Sequence, residues 1–382
     1  MPAVNARKIL FFGFILLNYF SNKVDAQPTA HIKSIHLIGS YQIPNALSFL
    51  HTTVGGLSGI DYDQANNQYY LISDDRSAIN PARYYTAKIF LTQSGIDSVL
   101  FTGVNSLLQS NGKVYPNFKQ DKFHTTDPEA IRYNPIRKQL VWSSEGERII
   151  TKSDTILENP YITTLSLKGA VINTFTIPPK ITMQATENGP RQNADFEGIT
   201  FANNYATLFA NMEEPLYEDG PRADTIDNNT YIRILTFNVA RRENTHQFAY
   251  KLGPVAHPPI PSNAFKVNGV PEILSIGNNK LLVIERSFST GRIACSIKLF
   301  IADLAKATDI KNLPSLKNTD SFIAASKKLL LNMDDLALAT DNIEGVTFGP
   351  LLPNGHKTLL FISDNNFNPL QQTQLLLFEV NE

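Results

Sequence analysis

A short motif recurs five times along the chain, and this repetition constrains the fold more than any other feature. Each copy begins an apolar, strand-like run, passes a turn rich in Asn, Gly or Pro, and ends a second apolar run beside an acidic residue. The copies follow one another at intervals of roughly 70 residues, and most are followed by further strand-like runs, which is typical of a β-propeller built from four-stranded blades. The residues at the first position of the motif are Ser58, Glu129, Glu197, Glu272 and Glu344.

The two ends of the chain predict how the ring of blades closes. The alternating run His31–Pro44 has no hairpin partner nearby, and the fifth repeat offers one clear strand, Gln374–Val380, after its hairpin. An N-terminal strand that completes the last blade would remove an exposed sheet edge. We therefore predict an all-β fold, a β-propeller of about five four-stranded blades in a single domain over residues 27–382. A sixth blade within the long insertions remains an alternative.

The N-terminus has the three regions of a secretory signal peptide. Arg7 and Lys8 precede the apolar run Ile9–Leu17, and Val24 and Ala26 supply the small residues of a cleavage site before Gln27. The apolar run is too short for a helix that spans a bilayer, which needs about 20 residues. We predict a signal peptide over residues 1–26 and an exported protein, periplasmic or secreted, with no membrane span after cleavage.

The net charge limits the classes of binding partner, and the single cysteine limits the possible cysteine chemistry. With 34 basic and 35 acidic residues the formal net charge is -1, which argues against a nucleic-acid-binding protein because such proteins carry a basic excess. A single cysteine excludes an intramolecular disulfide, and Cys295 lies in an alternating apolar run that favours a buried hydrophobe over a nucleophile. We expect a monomer.

Hairpin geometry predicts where the repeated acidic residues meet. Two antiparallel strands joined by a turn bring the start of the first and the end of the second to the same end of the sheet. In a propeller the first strand of each blade lines the central channel, so these ends should surround one channel mouth. The expected neighbours are Glu129 with Glu145, Glu197 with Glu213, Glu272 with Glu285, Glu344 with Asp364, and Asp74 or Asp75 with Ser58.

So many carboxylates around one axis require positive partners, because like charges at close range cannot all ionise. Oxygen ligands favour Ca²⁺, with Mg²⁺ less favoured, and seven dispersed histidines with one cysteine make a poor zinc site. An alternative is that the acids tie neighbouring blades together. The predicted metal ligands are Asp74, Glu129, Glu145, Glu213, Glu285, Glu344 and Asp364.

Two arginines directly follow acids of the repeats. Arg76 follows Asp74-Asp75, and Arg286 follows Glu285. A guanidinium at an acidic mouth can bind a phosphate through two hydrogen bonds, or it can neutralise its acidic neighbours.

Three motifs in order resemble the family described as esterase-like activity of phytase, or phytase-like domain. They are Asp195-Phe196-Glu197-Gly198-Ile199 with Glu213-Glu214-Pro215-Leu216, then Leu282–Phe288, then Asn342-Ile343-Glu344-Gly345-Val346 with Ser363–Phe367. The resemblance covers about residues 56–380 and implies an exported propeller with phosphoesterase-type chemistry. The family's acidic residues fall on Glu129, Glu197, Glu213, Glu285, Glu344 and Asp364, with Arg286 beside them; the first repeat departs by having Ser58.

From this resemblance we expect a metal-dependent phosphoric ester hydrolase that acts on a small phosphorylated or ester substrate. Arg76 and Arg286 would hold the phosphoryl oxygens, Glu197 would accept the proton of the attacking water, and Ca²⁺ would be bound by the other acids. Two alternatives remain open: a non-catalytic propeller that binds a ligand or protein and contains structural Ca²⁺, or a lactonase-type Ca²⁺ esterase. A serine hydrolase is not supported, since no Gly-x-Ser-x-Gly sequence occurs.

Overall fold

Each sequence repeat forms one antiparallel sheet, because its apolar runs are short and are separated by turn residues with left-handed backbone, such as Asn67, Asn203 and Asn278. The computed structural model describes residues 27–292 and 294–382, and the predicted signal peptide lies outside them. Within this range five four-stranded sheets and two short hairpins are found, which confirms the all-β propeller of five blades.

The N-terminal half supplies the closing strand and blades 1 and 2. Blade 1 consists of β4 to β7, and blade 2 of β8, β9, β12 and β13, while β2–β3 and β10–β11 form two-stranded hairpins. The bounds are β1 (Ser34–Ile43), β2 (Leu47–Phe49), β3 (Thr52–Val54), β4 (Leu57–Asp63), β5 (Gln68–Ser73), β6 (Arg83–Thr92), β7 (Gly95–Ser106), β8 (Pro128–Asn134), β9 (Gln139–Ser144), β10 (Glu147–Ile150), β11 (Thr155–Glu158), β12 (Tyr161–Leu165) and β13 (Val171–Thr174).

The C-terminal half supplies blades 3, 4 and 5. Three 3₁₀ turns, Pro179–Ile181, Tyr217–Asp219 and Met333–Asp335, are the helical elements of the described residues. None of the helices described is long and apolar enough to cross a membrane. The strands are β14 (Phe196–Ala202), β15 (Thr207–Met212), β16 (Tyr231–Asn238), β17 (Glu243–Lys251), β18 (Lys266–Gly277), β19 (Lys280–Ser289), β20 (Ser296–Asp303), β21 (Ser326–Asn332), β22 (Asn342–Phe348), β23 (Thr358–Asp364) and β24 (Thr373–Asn381).

The ring closes through the N-terminal strand, as the sequence predicted. In blade 5 the strand order is β1-β24-β23-β22, with Ser34 opposite Asn381 and Ile43 opposite Thr373. The edge of β24 is therefore paired, which removes a site for edge-to-edge association.

Apolar side chains fill the space between neighbouring blades. One cluster joins Val141 of blade 2 to Phe209 of blade 3 and Val283 of blade 4, and another joins blades 4 and 5 through Leu282 and Phe361. Burying large apolar side chains of this kind contributes roughly 1.5–3 kcal/mol each. The blades are therefore held face to face, and their inner strands are fixed around one axis.

Every inner strand carries a β-bulge at the same place near its start. The bulge inserts one extra residue against the second strand, between Phe196 and Ile199 in blade 3 and between Gly269 and Glu272 in blade 4. A bulge changes the direction of the side chains around it, so the position of the bulge determines which residues face the channel mouth. By this register Glu272 corresponds to Ile199, two residues further along its strand than Glu197.

Candidate metal centre at the channel mouth

The bulges and the second-strand ends surround one end of the central channel with carboxylates. We call these seven residues the mouth acids: Glu129, Glu197 and Glu344 from the bulges of β8, β14 and β22, and Asp74, Glu145, Glu213 and Asp364 from the ends of the second strands. Blade 4 has Val270 at the bulge position and Ser287 at the second-strand position, so it contributes no acid at either. Blade 1 has Ser58 at its bulge position.

The mouth acids of blades 1 to 3 converge into two groups that share one residue. Asp74, Asp127 and Glu129 each present an oxygen, and these three atoms lie within 4.8 Å of one another. Glu129, Glu145 and Glu197 do the same. Because Glu129 belongs to both groups, the two clusters are adjacent and its carboxylate connects them.

Burial and mutual repulsion raise the pKa values of these carboxyl groups. Loss of solvent is the largest cause for Glu129, Glu145 and Glu197, and the charges of neighbouring carboxylates add to it. The pKa values of Asp74 and Asp127 are raised by burial as well, and their carboxyl groups lie close enough to share a hydrogen bond. A proton or a cation relieves this repulsion, so the cluster has a strong tendency to bind either one.

Arg286 neutralises the other side of the mouth. Its guanidinium bonds to Glu344, to Glu213 at 2.8 Å and to the Asn342 side chain at 2.7 Å. It lies next to Ser287 on β19, so blade 4 supplies a cation to the mouth where the others supply acids. The mouth is therefore divided into a neutralised side and an acid-rich side.

Arg76 lies at the rim of the acid-rich side. Its two terminal nitrogens lie 3.4 Å from Asp127 and 2.8 Å from Glu147, and about a third of its side chain is exposed (32%). Of the two arginines that the sequence singled out, Arg76 is the more accessible to a ligand, since the Arg286 side chain is 16% exposed.

The structure separates one pair of acids that the sequence had placed together. Glu272 does not meet Glu285 at the mouth, because it lies two residues further along its strand than the bulge position and is therefore deeper in the channel. Glu285 lies between blades 3 and 4, where it accepts hydrogen bonds from Tyr250, Gly253 and Asn268 and pairs with Lys327. The expectation that Glu285 faces the mouth is therefore wrong, and the strand-one acid of blade 4 is absent from the mouth.

A buried arginine crosses the channel beneath the mouth acids. Arg132 lies three residues after Glu129 on β8, and its guanidinium pairs with Glu272 at 2.6 Å. The guanidinium also donates to a main-chain oxygen from the inner strand of each of the other four blades. We call Arg132, Glu272 and these four oxygens the Arg132 plug. These oxygens belong to Ile60, Ile199, Ile273 and Val346.

Two acidic residues at the mouth were not singled out from the sequence. Asp127 and Asp195 each precede a bulge Glu by two residues, and Asn342 occupies the matching place before Glu344. This Asp/Asn-x-Glu spacing was the signal that could have identified them. Asp195 is fully buried, and burial followed by the charge of Glu145 raises its pKa.

The donor set at the mouth fits a hard divalent cation. Both carboxylate oxygens of Asp195 and one of Asp364 are buried without a hydrogen-bond partner among the described residues. Buried carboxylates without partners are costly, and the surrounding ligands are oxygens, which Ca²⁺ and Mg²⁺ prefer. The acid-rich side can therefore hold such an ion through Asp74, Asp127, Glu129, Glu145 and Glu197.

Comparison with known proteins identifies the family and adds fold neighbours. The family model for esterase-like activity of phytase matches residues 52–367. No curated protein matches the chain.

Among solved structures, the periplasmic gluconolactonase PpgL of Pseudomonas aeruginosa is 10% identical, with a TM-score of 0.36 and coverage of 86% of this chain and 87% of that one. A thermostable family-43 glycoside hydrolase is 11% identical, with a TM-score of 0.42 and coverage of 88% and 91%. An exo-β-1,3-galactanase from Phanerochaete chrysosporium is 10% identical, with a TM-score of 0.42 and coverage of 90% and 65%. Likeness at this level says nothing about what this chain binds.

Proposed function

The chain belongs to the phytase-like family, described as esterase-like activity of phytase. We therefore propose that it is an exported, cation-dependent phosphoric ester hydrolase whose active site is the channel mouth. The observation that carries the proposal is the pair of three-carboxylate groups that share Glu129, bordered by Arg76 and Arg286. This arrangement combines oxygen ligands for a cation with guanidinium groups suited to phosphate.

The acid-rich side would hold the cation, for which we propose Ca²⁺. Asp74, Asp127, Glu129 and Glu145 supply the oxygens, and Glu129 belongs to both groups. When bound, a divalent cation offsets phosphate charge and increases the acidity of coordinated water. The same cation would relieve the repulsion that raises the pKa values of these carboxyl groups.

The two arginines would orient the phosphoryl group. Arg286 is held in place by Glu213, Glu344 and Asn342, so its guanidinium does not have to be ordered when a substrate binds. Arg76 is more exposed and can exchange its contact with Asp127 for a phosphate oxygen. Planar guanidinium groups bind phosphate oxygens through paired hydrogen bonds.

Glu197 is the residue we propose as the general base. It lies in the bulge of β14 between the two sides of the mouth, and its pKa is raised by burial, by Glu145, Glu213 and Glu344, and lowered by Arg286. A carboxylate with a raised pKa accepts a proton more readily near neutral pH than an ordinary one. The Arg132 plug lies beneath the mouth acids, so substrate would enter and product would leave through the same opening.

A non-catalytic binding propeller is the second candidate. The observation in its favour is that both arginines are already paired with acids, Arg76 with Glu147 and Arg286 with Glu213 and Glu344. In that case the cation would only stabilise the mouth, and a ligand would bind above it.

Hydrolysis assays on the purified mature protein distinguish the two. We expect turnover of a phosphomonoester or phosphodiester that EDTA abolishes and Ca²⁺ restores. The Glu129→Gln variant should lack this activity, and Glu243→Gln, which changes an exposed glutamate at the start of β17, should retain it. Turnover of no phosphate ester with Ca²⁺ present would reject the hydrolase and leave the binding propeller.

A further inference from the structure

Blade 4 differs from the other blades in lacking acids at its two mouth positions. A cavity also opens beside it, at the same end of the sheets as the mouth. The cavity has a volume of about 290 Å³ and lies between blades 3 and 4. Lys251, at the end of β17, pairs in register with Tyr231 at the start of β16, and Ser287 pairs with Ser296 at the start of β20. Both pairs lie at the mouth end of their sheets, since β15 and β19 also end there.

Three lysines line this cavity, and we call it the lysine pocket: Lys251, Lys298 and Lys327. Two acids also line it, Asp227 and Glu285, so positive charge is in excess by one. This is the reverse of the acid-rich side of the mouth. Ser287 stands here in the place that an acid occupies in each of the other blades.

The acids of the pocket pair with two of its lysines and leave Lys298 without an ion pair among the described residues. Glu285 is nearly fully buried and receives hydrogen bonds from Tyr250, Gly253 and Asn268 in addition to its pairing with Lys327. Its oxygens are therefore already well supplied with donors. The ammonium group of Lys298 makes no hydrogen bond or ion pair with any residue in the described ranges, although Lys298 lies directly opposite Glu285 on the neighbouring strand.

The other two lysines are oriented towards the cavity. Lys327 is fixed over the Phe300 ring, with its ammonium 4.3 Å from the centroid, and over Tyr250 at 4.9 Å. Lys251 pairs with Asp227 at 2.8 Å, but this pair is partly exposed and is therefore weak and exchangeable. An anion entering the cavity would meet one unpaired ammonium, one oriented ammonium and one that can exchange its partner.

We propose that the lysine pocket is a second binding site, separate from the mouth, for a small phosphate-bearing anion, either inorganic phosphate or a phosphate monoester. Compact ammonium groups bind phosphate as point charges, and the volume lies near the lower limit of ligand pockets, which run from roughly 300 to 1,000 Å³. The apolar wall formed by Leu252, Pro254 and Phe300 suits the carbon skeleton of an ester. This inference does not depend on phosphate ester hydrolysis at the mouth.

Calorimetric titration of the EDTA-treated mature protein tests the proposal, with inorganic phosphate and glycerol phosphate as the two probes. We expect saturable binding of at least one probe, and its preference indicates whether the free ion or the ester is the better ligand. The Lys298→Gln variant should bind about tenfold more weakly or worse, because a charge-assisted hydrogen bond is lost. Lys251→Gln provides a second weakened variant, and Lys328→Gln, which changes the exposed neighbour of Lys327, should bind as the unaltered protein does.

Three results would overturn the proposal. The first is no saturable binding of either probe to the unaltered protein. The second is unchanged affinity in both Lys298→Gln and Lys251→Gln, with folding verified by circular dichroism. The third is loss of phosphate binding in Arg76→Gln together with full binding in Lys298→Gln, which would locate the anion at the mouth.

Discussion

The channel contains two clusters of buried charged groups, and the two differ in how their charges are compensated. At the Arg132 plug one guanidinium meets the carboxylates of Glu272 and, at 3.8 Å, Asp61, and a main-chain oxygen from each of four blades. At the acid-rich side of the mouth, five carboxyl groups converge and Arg76 lies at their rim. At the plug the fold itself supplies a cationic partner at the centre of the cluster, whereas at the acid-rich side the cationic partner lies at the rim.

Burial raises carboxyl pKa values in both places, but the opposing influences differ. At the plug burial raises the pKa of Glu272, and the Arg132 charge and the Ile273 N–H act against this rise. At Glu129 every cause acts in the same direction, because burial and four neighbouring acids all raise its pKa. The Glu272 carboxylate thus has a cationic protein partner, and the carboxyl groups of the acid-rich side have the character of ligands for an external cation.

The largest expected effect comes from breaking the plug. Arg132→Met leaves the buried Glu272 carboxylate without its cation and removes the donors of four main-chain oxygens. We expect a loss of about 3–5 kcal/mol in the free energy of unfolding, measured by urea denaturation. The double variant Arg132→Met/Glu272→Met should recover part of the loss, since it removes the unpaired charge as well. A loss below about 1 kcal/mol in the single variant, the size of an exposed ion pair, would mean that the plug does not stabilise the ring.

A change at Glu197 should act on catalysis and leave folding intact. Glu197→Gln keeps the size of the side chain but removes the proposed proton acceptor. We expect kcat for phosphate ester hydrolysis to fall at least about a hundredfold, with little change in unfolding free energy. If kcat stays within a few-fold of the unaltered protein while Ca²⁺ still binds, another group is the base.

The smallest expected effect has the opposite sign to that of the plug variant. Glu129→Gln removes a carboxylate from both groups at the mouth and so reduces their repulsion. In EDTA we expect the variant to be more stable by about 1 kcal/mol, measured by thermal denaturation, because the charge it lacks has no partner. A destabilised Glu129→Gln protein in EDTA would indicate that Glu129 ties blades together, as the plug does.

Much of the mouth could be predicted from the sequence because hairpin geometry is periodic. The start of one strand and the end of the next meet at one end of a sheet, and this rule brought Glu129, Glu145, Glu197 and Glu213 together. Asp127 and Asp195 share their spacing to the bulge Glu but were not singled out. The five blades and the closing strand followed from the same repetition, together with the unpaired N-terminal run.

What could not be predicted depends on single residues without a periodic copy. The bulge shifts register by one residue, and alignment on the shared glutamate placed Glu272 at the mouth although it lies two residues deeper. Arg132 occurs in one blade only, so no repeat pattern marks it. Glu285 looked equivalent to the other acids by its position near a strand end, but it lies two residues before the position of the mouth acids, which Ser287 occupies, and it lines the lysine pocket.

Calcium binding tests the central claim, that the mouth acids form a cation site, most directly. Calorimetric titration of Ca²⁺ into the EDTA-stripped mature protein should give saturable binding, and a Ca²⁺ concentration of 100 times the Kd should add about 2.7 kcal/mol to the free energy of unfolding. Glu129→Gln should lose most of this binding, while Glu243→Gln should keep it. Absence of saturable binding, or an unchanged affinity in Glu129→Gln, would contradict the account.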